Sequence, residues 1–147
     1  KIIGDTKTVP DYALDRLRRC EETTARCTGM GVVLAISYSS RWEITDAVKR
    51  IAAEAAEGKI AADSINEATI SSHLATAGIP DPDLMIRTGG DCRVSTYLLW
   101  QIAYSELIFT DTFWPDYTKE DFCDAILRYQ SRERRFGKTS EQVNEQK

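Results

Sequence analysis

Several things are scarce in this 147-residue sequence. No stretch approaches the roughly 20 consecutive apolar residues of a membrane-spanning helix. The N-terminus, Lys1-Ile-Ile-Gly-Asp5, reads as the end of a strand followed by a turn and not as a signal peptide, and no Met opens the chain. His73 is the only histidine, and none of the four cysteines forms a Cys-x-x-Cys pair, which argues against a zinc site. A formal charge of −4 excludes a diffuse basic surface and, with it, general nucleic-acid binding, while leaving room for a local cationic pocket. There is no internal repeat and no low-complexity linker. What is present, 42% apolar and 29% charged residues, is the balance of a soluble globular chain. Its length suits one domain able to bury on the order of 70% of its unfolded surface. Cys20 and Cys27, seven apart, share a helix face and are expected as core thiols in a reducing cytosol.

Apolar spacing alternates between strand and helix. Ile2-Ile3 ends a short strand and Gly4-Asp5 turns out of it. Pro10 suits the first turn of a helix running to about Cys27 through Leu14, Leu17 and Cys20, with Gly29 as its stop. Gly31–Tyr38 is continuously apolar, the pattern of a strand buried on both faces of a parallel sheet. Arg41–Glu57 forms a helix with Ile44, Ala47, Val48, Ile51, Ala52 and Ala55 on one stripe, stopped by Gly58. Ser64 or Asn66 caps a shorter helix to about Ala77. Pro80 and Pro82 lead rigidly into a strand at Leu84–Thr88, which Gly89-Gly90 breaks. Ser95 is placed to cap an apolar helix, Tyr97–Tyr104, and Glu106–Phe109 is a further strand. Thr118 and Asp121 form a capping box for a last helix that Gly137 stops. The polar residues 138–147 are expected to be a disordered tail. The class expected is α/β, a mostly parallel sheet flanked by helices and truncated at its N-terminal side, since the first strand has only about three residues.

Chemistry concentrates between Asp83 and Glu106. Arg87 falls near the C-terminal end of a strand, where parallel α/β sheets place ligands. Gly89-Gly90 permits a sharp turn. Arg93 follows, and Ser95 opens a predicted helix whose first amides favour an anion. Two guanidinium groups, a hydroxyl and a helix N-terminus within nine residues point to a phosphate or diphosphate, because arginine forks match phosphate oxygens. Taken singly, an arginine at a strand end is more often a surface ion pair and Gly-Gly more often a plain turn. Glu106 is a carboxylate that would suit Mg²⁺ beside a diphosphate, and equally a solvated strand-end residue. Asp91 is a second, lesser candidate. Arg132 and its neighbours end the last helix, where cations need no role beyond the dipole, although the same cluster could reach into a ligand site or a dimer contact. Trp42, Trp100 and Trp114 are expected in the core or at an interface.

The run from Ile86 to Asp116, opening Ile-Arg-Thr-Gly-Gly-Asp-Cys-Arg-Val-Ser and continuing through Trp100-Gln-Ile-Ala-Tyr-Ser-Glu106 to Trp114-Pro-Asp, resembles the signature of the cis-prenyltransferases, the undecaprenyl diphosphate synthase family. Ile3-Gly4-Asp5, Tyr38–Trp42 and Arg132–Gly137 resemble further landmarks, so the likeness covers residues 1–137 as the C-terminal part of such a domain. The resemblance implies condensation of isopentenyl diphosphate with an allylic diphosphate to make undecaprenyl diphosphate, the bacterial wall-lipid carrier. It implies that Arg87, Arg93 and Ser95 bind isopentenyl diphosphate and that Glu106 serves the Mg²⁺ of that site. It also implies a cytoplasmic homodimer, with peripheral membrane contact for the lipid product and no transmembrane segment. The family's allylic-site motif, Asp-Gly-Asn-Gly-Arg, does not occur in this sequence, so its catalytic aspartate is not assigned to any residue and the chain alone is expected to be inactive. No Asp-Asp-x-x-Asp box of the trans-prenyltransferases occurs either. Ser37-Tyr-Ser-Ser-Arg41 replaces the common Asn-Tyr-Gly-Gly-Arg, Thr96-Tyr97 the common Asn-Phe, Asp91 a common Glu, and Cys92 a His of some members. These departures weaken a proton-handling role at 92 and leave the Arg/Arg/Ser/Glu set intact. The competing readings are a non-catalytic partner subunit, which need not keep the whole clamp, and a free-standing phosphate-binding module.

Overall fold

A computed structural model describes residues 1–133. Gly137 and the tail from 138 onward lie outside the described residues. The chain divides into two compact units, Lys1–Pro80 with Thr96–Leu98, and Asp81–Ser95 with the described residues from Leu99 on.

In the first unit β1 (Ile2–Ile3) pairs in parallel with β2 (Leu34–Ala35), Ile2 opposite Leu34 and Ile3 opposite Ala35. Gly4 follows at φ +117°, and a side-chain carbon there would lie 2.0 Å from the Ile36 carbonyl oxygen, so only glycine lets the two backbones approach. Pro10 precedes α1 (Asp11–Thr24), which stops three residues short of the expected Cys27 and well before Gly29. Ser39 caps α2 (Ser40–Ala56), its hydroxyl accepting from the Trp42 amide at 3.2 Å. Asn66 and Thr69 close a capping box on α3 (Glu67–His73). Arg50 of α2 donates to the His73 carbonyl, and His73 Nε2 lies 3.3 Å from Glu54 of α2, so polar contacts help hold these two helices together.

Two expectations about this unit are corrected. The run Gly31–Tyr38 is not a strand buried on both faces: only Leu34–Ala35 pairs, and Val32 is 59% exposed. Its one partner among the described residues, β1, covers one edge, so apolarity alone does not bury it. The cysteines are not core thiols. All four are free and exposed, because α1 has no fully buried residue and so offers Cys20 no core to enter.

In the second unit β3 (Leu84–Arg87) and β4 (Glu106–Phe109) pair in parallel over four residues, from Leu84 opposite Glu106 to Arg87 opposite Phe109. The ladder extends at both ends, Glu106 N–H to the Asp83 carbonyl at 2.9 Å and Thr110 N–H to the Arg87 carbonyl at 3.0 Å. Thr118 and Asp121 form the expected capping box on α4 (Lys119–Gln130). Ile108 and Ala125 are the buried apolar residues here, as Ile3, Ala47, Ile51 and Leu74 are in the first unit. The architecture is α/β with parallel strand pairs, as expected. The apolar helix predicted for Tyr97–Tyr104 is absent: the backbone makes successive turns, with Ser95 at φ +60° and Leu98 at φ +49°. Two left-handed residues interrupt the i to i−4 ladder that a right-handed helix needs. Trp114, expected in a core or interface, is 76% exposed.

Candidate functional site

Arg87 is the last residue of β3, at the C-terminal end of the parallel pair. Past it the chain turns through Gly89 (φ +88°) and Gly90 (φ +81°), a conformation that L side chains rarely adopt. That turn is clasped by the segment after β4: Gly89 N–H donates to the Thr112 carbonyl and Gly90 N–H to the Thr110 carbonyl, both at 2.9 Å.

The turn brings three of the predicted residues together. The Arg87 Nη1 donates to Ser95 Oγ at 3.0 Å and to the Arg93 carbonyl. Its Nη2 donates to Asp91 Oδ2 at 2.7 Å, and Arg93 Nη2 donates to that same oxygen at 2.7 Å. Asp91, a minor candidate in the sequence, is thus the group that joins the two guanidinium ions. Two guanidinium groups share the one Asp91 carboxylate, and the Asp111 carboxylate stands beside the same turn, its Oδ1 3.4 Å from where a side-chain carbon on Gly90 would lie, so what suits a phosphate here is the guanidinium forks and not a net positive charge. Arg93 is 69% exposed on its side chain, so its ion pair adds little to stability and leaves the guanidinium open to a ligand. The helix N-terminus expected at Ser95 makes no contribution, since no helix begins there. The groups left there for an anion are the two guanidinium groups and the Ser95 hydroxyl, because the Gly89 and Gly90 amides are taken by the Thr112 and Thr110 carbonyls.

Glu106 is not brought to this cluster. It stands at the opposite end of the strand pair, beside Leu84, and its Oε2 accepts from Arg132 Nη1 at 2.6 Å. Arg132 also donates to the Leu107 carbonyl at 3.3 Å. It lies two residues beyond the end of α4, so it is not a dipole-capping residue of that helix as expected, and its contact is with the candidate residue Glu106. No group of three or more His, Cys, Asp or Glu side chains that could hold a metal occurs among the described residues. Glu106 is a hard oxygen donor of the kind Mg²⁺ takes, but it is held by Arg132 and stands at the far end of the strand pair from Arg87, so phosphates seated on the arginine cluster would not supply the other oxygens of an ion held there.

A second polar centre escaped the sequence. Glu43 is 1% exposed. Its Oε2 accepts from the Tyr38 hydroxyl at 2.5 Å and its Oε1 from the Ala75 amide at 2.9 Å, with Ser40 Oγ 3.3 Å from the same hydroxyl. Burial, then the Glu43 hydrogen bond, pushes the Tyr38 phenol well above its ordinary range. The Tyr38 ring meets Tyr97 edge-on, centroids 5.7 Å apart. The available signal was spacing: Glu43, Ala47 and Ile51 recur every four residues, on the face that α2 buries.

Comparison with known proteins finds relatives of one kind. An isoprenyl transferase of Porphyromonas gingivalis is 52% identical over 141 residues, 96% of this chain and 56% of that protein. A ditrans,polycis-undecaprenyl-diphosphate synthase, (2E,6E)-farnesyl-diphosphate specific, of Vibrio vulnificus is 43% identical over 97% of this chain and 57% of its own length. The crystal structure of lavandulyl diphosphate synthase from Lavandula x intermedia, in complex with dimethylallyl diphosphate, superposes with a TM-score of 0.91 at 37% identity, covering 94% of this chain and 59% of that one. The chain spans little more than half the length of these relatives. Residues 1–137 match the prenyltransferase family described as undecaprenyl diphosphate synthase, and the chain belongs to that family.

Proposed function

We propose that this chain supplies the isopentenyl-diphosphate-binding part of a cis-prenyltransferase that condenses isopentenyl diphosphate with an allylic diphosphate to make undecaprenyl diphosphate. The observation that carries the reading is the convergence of Arg87 and Arg93 on one anion, the Asp91 carboxylate, with the Ser95 hydroxyl held by Arg87 beside it, on a turn at the C-terminal end of β3. In this role Arg87 and Arg93 neutralise the diphosphate, and the Ser95 hydroxyl, already accepting from Arg87, can donate its proton to a phosphate oxygen. Holding the nucleophilic substrate by its charged end orients its double bond towards the allylic carbon, and that positioning is the contribution asked of these residues. Glu106 is the proposed Mg²⁺ ligand, a role that requires it to leave Arg132 and, from the far end of the strand pair, to hold the ion outside the arginine clamp. Because the sequence contains no Asp-Gly-Asn-Gly-Arg motif for the allylic diphosphate, the 147 residues alone should not turn over.

The same reading carries a homodimer in the cytoplasm with peripheral membrane contact for the lipid product. No described helix is long and apolar enough to cross a membrane. A purely non-catalytic partner subunit would have no need of the retained clamp.

The test is isothermal titration of isopentenyl diphosphate, with Mg²⁺, into the 147-residue chain, alongside Arg87→Ala and Arg93→Ala. Binding by the parent that falls at least tenfold in both variants is expected, each removing a charge-assisted contact worth roughly 1.5–3 kcal/mol. Equal binding in all three proteins would sink the assignment of these residues.

A further inference from the structure

Next to the anion cluster lies an aromatic side chain that the proposed function leaves unused. Phe113 is 66% exposed. A single exposed ring is ordinary on a protein surface, but this one lies beside the glycine turn that follows Arg87. A side-chain carbon on Gly89 would come within 3.7 Å of Phe113 Cδ1, which places the ring against the residue two beyond Arg87. The segment bearing it is tied to that turn by the two backbone hydrogen bonds from Gly89 and Gly90. It is also braced internally, Thr112 N–H donating to Thr110 Oγ1 at 3.3 Å and the two threonine hydroxyls lying 3.2 Å apart. Its neighbour Trp114 is turned to a different partner, stacking on Tyr117 with centroids 6.5 Å apart. A ligand whose phosphates sit on Arg87 and Arg93 therefore has an apolar ring beside the turn, on a segment whose backbone is tied to that turn.

We propose that Phe113 receives the hydrocarbon end of the substrate, so that this site selects a short branched alkyl diphosphate over a bare diphosphate. This rests on the reading of Arg87, Arg93 and Ser95 as the diphosphate seat. The arginines supply charge that any diphosphate satisfies. The ring supplies the apolar contact that inorganic pyrophosphate cannot use, and so it is the discriminating element.

The experiment compares two probes, inorganic pyrophosphate and isopentenyl diphosphate, titrated into the 147-residue chain and its Phe113→Ala, Phe113→Leu and Arg87→Ala variants. Phe113→Ala should weaken isopentenyl diphosphate about four- to fifteenfold, the scale of one to two methylene-equivalents of lost burial, and leave pyrophosphate unchanged. Phe113→Leu, which keeps an apolar side chain, should restore most of the loss. Arg87→Ala should lose both probes. If Phe113→Ala weakens both probes equally, or neither, while Arg87→Ala still loses both, the diphosphate seat stands and the role of Phe113 is refuted. If the parent binds neither probe, the seat itself falls and the role of Phe113 falls with it.

Discussion

Replacing Glu43 tests whether its carboxylate organises the first unit. In Glu43→Ala two donors lose their acceptor: the Ala75 amide, 2.9 Å from Oε1, and the Tyr38 hydroxyl, 2.5 Å from Oε2. Each stranded donor costs roughly 1–3 kcal/mol when it cannot reach water. Tyr38 is only half-buried, so its hydroxyl sits at the low end of that range and the sum is about 2–4 kcal/mol. Glu43→Gln keeps the shape and one acceptor but loses charge assistance, and about 1 kcal/mol is expected. Urea denaturation followed by circular dichroism reads both. With a slope of roughly 1–3 kcal/mol per molar, Glu43→Ala should move the midpoint by about 1 M or more. A loss below about 0.5 kcal/mol, the range of ordinary surface substitutions, would refute the reasoning. A pH dependence accompanies it. Because the folded-state Tyr38 phenol titrates above its ordinary value, folding retains that proton longer than the unfolded chain does. Its contribution is complete below about pH 10 and is lost as pH rises beyond it. Tyr38→Phe should flatten that alkaline loss.

Gly4→Ala should destabilise the first unit by about 3 kcal/mol or more, since the new carbon meets the Ile36 backbone at 2.0 Å and the residue sits at φ +117°; soluble yield and urea midpoint report it. At the second unit, Thr118→Ala should cost about 1 kcal/mol as a lost helix cap, measured in the same way. The Thr118 backbone amide, then its hydroxyl, hold the Asp121 carboxyl below its ordinary range, so what Asp121 contributes is present above that range and is lost as pH falls through the lowered value. Asp121→Asn should remove this acid dependence of helicity, seen as pH falls below the ordinary carboxylate range.

Much of this fold can be read from residue spacing, for identifiable reasons. Helices α1 to α4 announce themselves by period and punctuation: Pro10 before Asp11, Asn66 three residues before Thr69, Thr118 three before Asp121. The strands β3 and β4 are short apolar runs bounded by Pro82, Gly89 and Gly90, and the connection between them is long enough for the parallel pairing they adopt. The failures share a cause, which is that apolar content says nothing of backbone handedness or of what lies opposite. Tyr97–Tyr104 has helical composition, yet Ser95 and Leu98 adopt positive φ. Val32 is as apolar as a core residue and stays exposed. Glu43 was hidden by the opposite error, because a carboxylate is not counted towards a core stripe even when spacing puts it there. In the site, Arg87, Arg93 and Ser95 were close in sequence and converge in space, whereas Glu106 needed the strand register to show that it lies at the other end of the pair.

The most direct test of the account is to follow backbone amide NMR shifts of the 147-residue chain as isopentenyl diphosphate is added. The account predicts saturable shifts concentrated at Arg87–Ser95 and on the clasping segment Thr110–Phe113, and none of that pattern in Arg87→Ala. Saturable shifts centred elsewhere, or an unchanged pattern in Arg87→Ala, would contradict it.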